Sequence, residues 1–184
     1  MLFELDNTER ELLSSLKDGL AEIRVYKAGL YPTAVSFVLN SGNIVTVRAI
    51  GEGVAPRFEV FPISVTAQVL SVEPEQVIDC GDHSDSLELA ILRKAEWSVS
   101  STQEEKSQML GDTEGATTQY EGKASDIPKS AISHVSLDAG VEIRGADGWS
   151  FLIATSMFPF ALYVSDCAFS ESADPSIYDR LSVN

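Results

Sequence analysis

Two rhythms of apolar residues run along this chain, one of period near four and one of period two. Leu12, Leu16 and Leu20 recur at every fourth position, which lays one apolar stripe along a helix. Thr8 and Glu11 stand at capping-box spacing, so the pattern predicts a first helix over residues 8–18. Gly19 then ends it, and the alternation of Glu22–Tyr26 reads as a short strand, the other reading being a helix continued to Ile23.

From there the period is two. Ala34–Leu39 and Ile44–Ile50 are β-branched and aromatic runs around Asn40-Ser41-Gly42-Asn43, a hairpin signal because Gly and Asn tolerate positive φ. Arg57–Phe61 and Ile63–Leu70 read as extended, Ser71–Asp85 as loop, and Leu87–Val99 as one long strand, with a helix as the alternative. Residues 100–130 are polar and aperiodic, with Met109, Leu110, Tyr120 and Ile127 as exceptions, and read as a long exposed loop or linker. Val141–Gly145 and Trp149–Thr155 flank Asp147-Gly148, which predicts a hairpin with a two-residue turn, Ile143 facing Leu152 and Arg144 facing Phe151. Phe151-Leu152-Ile153-Ala154 is apolar on both faces, as an interior strand is. Phe160–Val164 reads as the last strand and Ser170–Asn184 as a short helical turn and tail.

The two hairpins resemble each other. A shift of 106 places Val35 on Val141, Phe37 on Ile143, Gly42 on Gly148 and Val47 on Ile153; further on, Phe61-Pro62 matches Phe158-Pro159 at a shift of 97. Two related β-hairpin units around a shared core are one reading; the other is that any two glycine-centred hairpins align this well. Pro62 and Pro159 belong at strand starts or sheet edges, where a missing N–H costs least. The expected fold class is α+β: a mainly antiparallel β-sheet, an N-terminal helix and a long polar loop. Its parts are residues 1–99 (helix plus β-rich part), 100–130 (polar loop or linker) and 131–184 (second hairpin part of the same domain).

A chain of 184 residues with 44% apolar side chains buries a core without disulfide or metal staples. Its formal net charge is −15, and the excess is spread evenly: 8 basic and 15 acidic side chains in residues 1–99, 5 and 13 in residues 100–184. A diffuse negative field argues against nucleic acid and against anionic membranes, both of which need clustered lysine and arginine. It favours a basic protein partner. The N-terminus has no basic-then-apolar leader, and the most apolar stretch, Trp149–Val164, is too short and too polar to span a bilayer. The expected location is cytoplasmic, with Cys80 and Cys167 reduced.

Complete catalytic signatures are missing. Gly51-Glu52-Gly53 opens like a dinucleotide turn but runs into Pro56. The densest polar cluster is Asp79-Cys80-Gly81-Asp82-His83-Ser84-Asp85. Cys80 and His83 could share a metal, with His134 and Cys167 completing the set, but the second pair lies 33 residues apart, unlike a structural zinc site. The acidic steps of three do not match a calcium loop, so neither a metal nor a cofactor is expected. The same residues are the candidates for a Cys–His nucleophile. Trp97, Trp149, Phe158 and Phe160 are the aromatic candidates for a binding site, though aromatic residues are more often core.

The expectation for function is a non-enzymatic protein-binding module whose acidic surface meets a basic partner; inhibitor- and immunity-type proteins are one form, an analogy of charge alone. The alternative is a small hydrolase or ligand-binding domain using carboxylates, or Cys80 and His83, in a cleft.

Overall fold

Two antiparallel sheets share one apolar core, and their strands run in the same order. The structure, a computed structural model, describes residues 1–55, 58–81, 86–101, 116–156, 159–165 and 174–183. In chain order the strands are β1 (Leu2–Phe3), β2 (Leu20–Ala28), β3 (Tyr31–Leu39), β4 (Ile44–Ala49), β5 (Glu52–Ala55), β6 (Phe58–Val60), β7 (Ile63–Thr66) and β8 (Gln76–Asp79). The second half adds β9 (Glu88–Ser100), β10 (Thr117–Gly122), β11 (Ser133–Arg144), β12 (Ser150–Thr155), β13 (Leu162–Val164) and β14 (Asp179–Ser182). Sheet B is ordered β7-β4-β3-β2-β8. Sheet A is ordered β10-β9-β11-β12-β13, with β14 on β9 and the short β1 parallel to β11. Helix α1 (Asn7–Ser14) continues as a 3-10 turn over Ser15–Asp18. The α+β expectation holds at this level: mostly antiparallel sheet with one N-terminal helix.

The helix begins at Asn7, one residue before the expected start, and its cap lies two residues before the expected one. Asp6, not Thr8, caps it: an Asp6 oxygen accepts the Glu9 N–H at 2.8 Å and Glu9 Oε2 accepts the Asp6 N–H at 3.0 Å. Asp caps a helix as well as Thr does. Tertiary contact decides between the two frames, because Glu9 Oε1 also accepts the Val65 N–H at 2.9 Å and the Ser64 hydroxyl at 3.1 Å on β7. Leu13 and Leu16 are thereby turned into the core.

The likeness between the hairpins extends across both sheets. Val25, Val35, Val47 and Val65 stand opposite one another across four strands of sheet B. Ile91, Val141, Ile153 and Val164 do the same across sheet A. All eight lie in the shared core. After the fourth strand each half sends a fifth back beside its first: β8 on β2, β14 on β9. The outer-strand correspondence is Ile63 with Leu162, a shift of 99 rather than 97. Both turns are also the same. Leu39 N–H donates to Asn43 O at 2.9 Å and Gly145 N–H to Trp149 O at 2.8 Å, with Gly42 at φ 85° and Gly148 at φ 89°. Each is a three-residue turn closed by a glycine at positive φ. Ile143 therefore faces Phe151, and Arg144 faces Ser150, one place off the two-residue expectation.

Sheet A is covered on both sides, as the apolar run Phe151–Ala154 requires. Phe151 and Ile153 enter the shared core. Leu152 and Ala154 join a second cluster on the outer face, beneath Val54, Val60, Ile177 and Tyr178. Five strands are absent from the sequence expectation: the two-residue β1; β5, which starts just after Gly51; β8, inside Ser71–Asp85; β10, inside residues 100–130; and β14, inside the expected tail. Residues 102–115 lie outside the described residues.

Candidate functional site

Those residues singled out by the sequence that the structure describes do not converge. Trp97 is 8% exposed and stacks on Tyr120, ring centroids 6.3 Å apart, so it joins β9 to β10. Trp149 is half-buried and stacks on Phe151 at 6.2 Å. Phe160 is 51% exposed, sits at φ 59°, and meets Phe61 edge-on at 5.4 Å. Phe158 lies outside the described residues, as do His83 and Cys167. His134 is exposed on β11, opposite Trp97 in register. Cys80 is buried in the shared core, its thiol pushed up to about 11 by burial and by Asp79 and Glu22. Such a thiol is almost wholly protonated at neutral pH and a weak nucleophile. Among the described residues no group of three or more His, Cys, Asp or Glu could hold a metal ion, and no helix is long and apolar enough to cross a membrane.

Several of the basic side chains are drawn into ion pairs. Buried Asp138 takes Arg10 at 3.3 Å and Arg93 at 2.8 Å, as well as the Leu5 N–H at 2.9 Å. Lys94 is wholly buried between Glu96 at 2.9 Å and Glu121 at 2.6 Å. Burial pulls its ammonium down, but the two carboxylates outweigh that and hold it above the usual lysine range. Tyr178 lies alongside, its phenol raised by burial, its hydroxyl buried with no hydrogen-bond partner among the described residues. Arg24 pairs with Glu22. Acids such as Glu11, Asp18, Glu59, Glu73, Glu75 and Asp79 remain exposed.

Two places carry recognisable binding geometry. The first is the outer edge of sheet B, where β8 is the terminal strand. The Cys80 N–H donates to Ala21 O at 3.0 Å, which fixes the alternation of the antiparallel ladder. The N–H groups of Val77 and Asp79 therefore point away from β2. Around this edge Val72 and Val77 are exposed at 61% and 53%, and so are Glu73, Glu75 and Asp79.

The second is a cleft of about 500 Å³ at the end of sheet A, lined by Lys17, Glu88, Glu142, Arg144, Arg180 and Ser182 around Leu87, Leu89, Ala90 and Val183. Glu142, Ala90 and Ser182 form one row across β11, β9 and β14. The small Ala90 leaves a floor between two polar walls. Arg144 and Arg180 reach the same Glu142 Oε1, at 3.1 and 2.9 Å. Sequence reasoning missed this cleft because its cations lie far apart in the chain and β14 is invisible as a strand.

A scan against protein-family models matches none, and searches of curated proteins and of solved structures return no match.

Proposed function

We propose that this protein is a non-enzymatic binding domain that receives a basic, extended segment of a partner protein along the β8 edge of sheet B. The observation that carries this reading is the pairing of a terminal strand with exposed acids: Glu73, Glu75 and Asp79 are exposed around outward-pointing N–H groups at Val77 and Asp79. An added strand gains main-chain hydrogen bonds from such an edge, and alternate side chains supply specificity. Lysine or arginine on that strand meets exposed carboxylates. Natural proteins usually shield an edge of this kind. Inward pairing of Arg10, Arg93 and Lys94 supports the same reading, since it leaves the surface field negative.

The test uses a synthetic peptide of alternating lysine and valine, with a glutamate–valine peptide as control, titrated into the isotope-labelled protein at low salt. The lysine peptide is expected to shift the amide signals of Val77 and Asp79 and to weaken as salt rises. Val77→Pro removes one outward N–H without touching the β2 ladder, and is expected to abolish binding. Equal binding of both peptides, or none at low salt, overturns the proposal.

A further inference from the structure

We infer that the cleft between β9, β11 and β14 binds a small organic oxyanion: a carboxylate or phosphate group carried on a compact apolar body. This site lies on the other sheet from the β8 edge and does not depend on it.

The charge of this cleft runs against that of the chain as a whole. The chain carries 28 acidic and 13 basic side chains, so a cation here has carboxylates in plenty. Yet Lys17, Arg144 and Arg180 gather in one cleft whose acids, among the described residues, are Glu88 and Glu142. Arg144 stands opposite Glu88 in the ladder but turns to Glu142 instead, where Arg180 already bonds the same oxygen. One carboxylate oxygen cannot satisfy two guanidinium groups, each with five N–H donors. The two arginine side chains stay 47% and 44% exposed, while Glu142 is 8% exposed. The buried carboxylate thus acts as an anchor. It holds two guanidinium groups together on the cleft lining against their repulsion, and each bonds it through a single nitrogen.

Lys17 is placed in the same way, its ammonium donating to the Val183 carbonyl oxygen with two N–H bonds left over. Side chains held before the ligand arrives lose less freedom on binding. Guanidinium pairs match the planar or tetrahedral spread of oxygens in a carboxylate or a phosphate. The volume, about 500 Å³, lies within the range of small-molecule sites and exceeds a bare ion. Leu87, Leu89 and Val183 supply the wall for an apolar body.

Amide-shift titrations with butyrate and with inorganic phosphate test the site, because the two probes separate a carboxylate ligand from a phosphate one. Saturable shifts centred on Ala90, Glu142 and Ser182 with either probe are expected. Arg144→Gln and Lys17→Gln each remove one charge-assisted contact and are expected to weaken binding roughly tenfold. Lys129→Gln, the same charge change at an exposed residue outside the cleft, leaves it unaltered. Both cleft variants change exposed side chains, and unchanged spectra elsewhere show that they remain folded. The inference is overturned by shifts that spread without saturation, by silence with both probes, or by an equal loss in Lys129→Gln.

Discussion

The Phe37 ring meets the Phe151 ring edge-on across the core, centroids 6.2 Å apart and planes at 86°. The two occupy complementary places in matching hairpins. Phe37 faces Val45 across its ladder, while Phe151 faces Ile143. Each hairpin has one aromatic and one aliphatic residue at this level, with the strands exchanged, so large meets small on both sides of the interface. Phe37→Ala or Phe151→Ala is expected to cost about 3–5 kcal/mol in urea denaturation. The double variant should cost less than the sum, since the rings share one contact.

Asp138 fastens the N-terminal segment to sheet A through Arg10, Arg93 and the Leu5 N–H. Replacing it by Ala leaves the buried Leu5 N–H without its acceptor and takes a carboxylate from Arg10 and Arg93, which keep the Leu5 carbonyl and Glu4, at a cost of about 1–3 kcal/mol. Hydrogen exchange at Leu5 should accelerate in the variant. The half-exposed Arg24–Glu22 pair is the contrast: Arg24→Ala is expected to cost under about 1 kcal/mol.

Gly140 lies where β11 slips register against β9, with β12 pressed against its other side. A Cβ there would fall inside contact distance of the Ile153 carbonyl oxygen and 2.9 Å from the Ala154 Cα. Both obstacles are backbone. Gly140→Ala is therefore expected to lower the unfolding midpoint sharply, by the equivalent of more than about 2 kcal/mol. Gly53→Ala, which meets open space, should change it little.

Cys80 titrates late, near 11 against an ordinary 9.0, because burial disfavours its thiolate. The unfolded thiol ionises first as pH rises, so its share of stability is whole below 9.0 and is lost as pH climbs towards 11. In a Cys167→Ser background, thiol reagent at pH 8 should label the native protein slowly and the urea-unfolded protein at once. Equal labelling rates would show an open thiol.

How much was legible in the sequence follows from which residues carry their own signal. The hairpins around Gly42 and Gly148 announce themselves, since alternation and turn chemistry are local. The rows Val25–Val65 and Ile91–Val164 were half visible: the 106-residue shift joins β3 and β4 to β11 and β12. The first strands β2 and β9 match only at a shift of 66, because β10 and its flanking segments interrupt the second half. Strands β8, β10 and β14 are short and polar, and they are strands because an existing edge pairs with them, a tertiary cause that no local pattern records. The cleft escaped for the same reason: Lys17, Glu142 and Arg180 meet only once β14 lies on β9. Asp6 against Thr8 as helix cap was decided by Glu9 reaching Ser64 and Val65.

All five strands of sheet B precede β9 in the chain. A ribosome therefore releases that whole sheet before anything exists to cover Val25, Phe37, Val47 and Val65, which are fully or almost fully buried in the finished molecule. For the time needed to make the next hundred or so residues, at roughly 5–20 residues per second, the nascent first half shows water an oily face about four strands wide. Helix α1 and the 3-10 turn after it shelter one border of it through Leu13 and Leu16, and the rest waits for its own likeness to arrive. The step most exposed to aggregation is this interval of synthesis, and slower elongation through the segment that joins the halves would lengthen it.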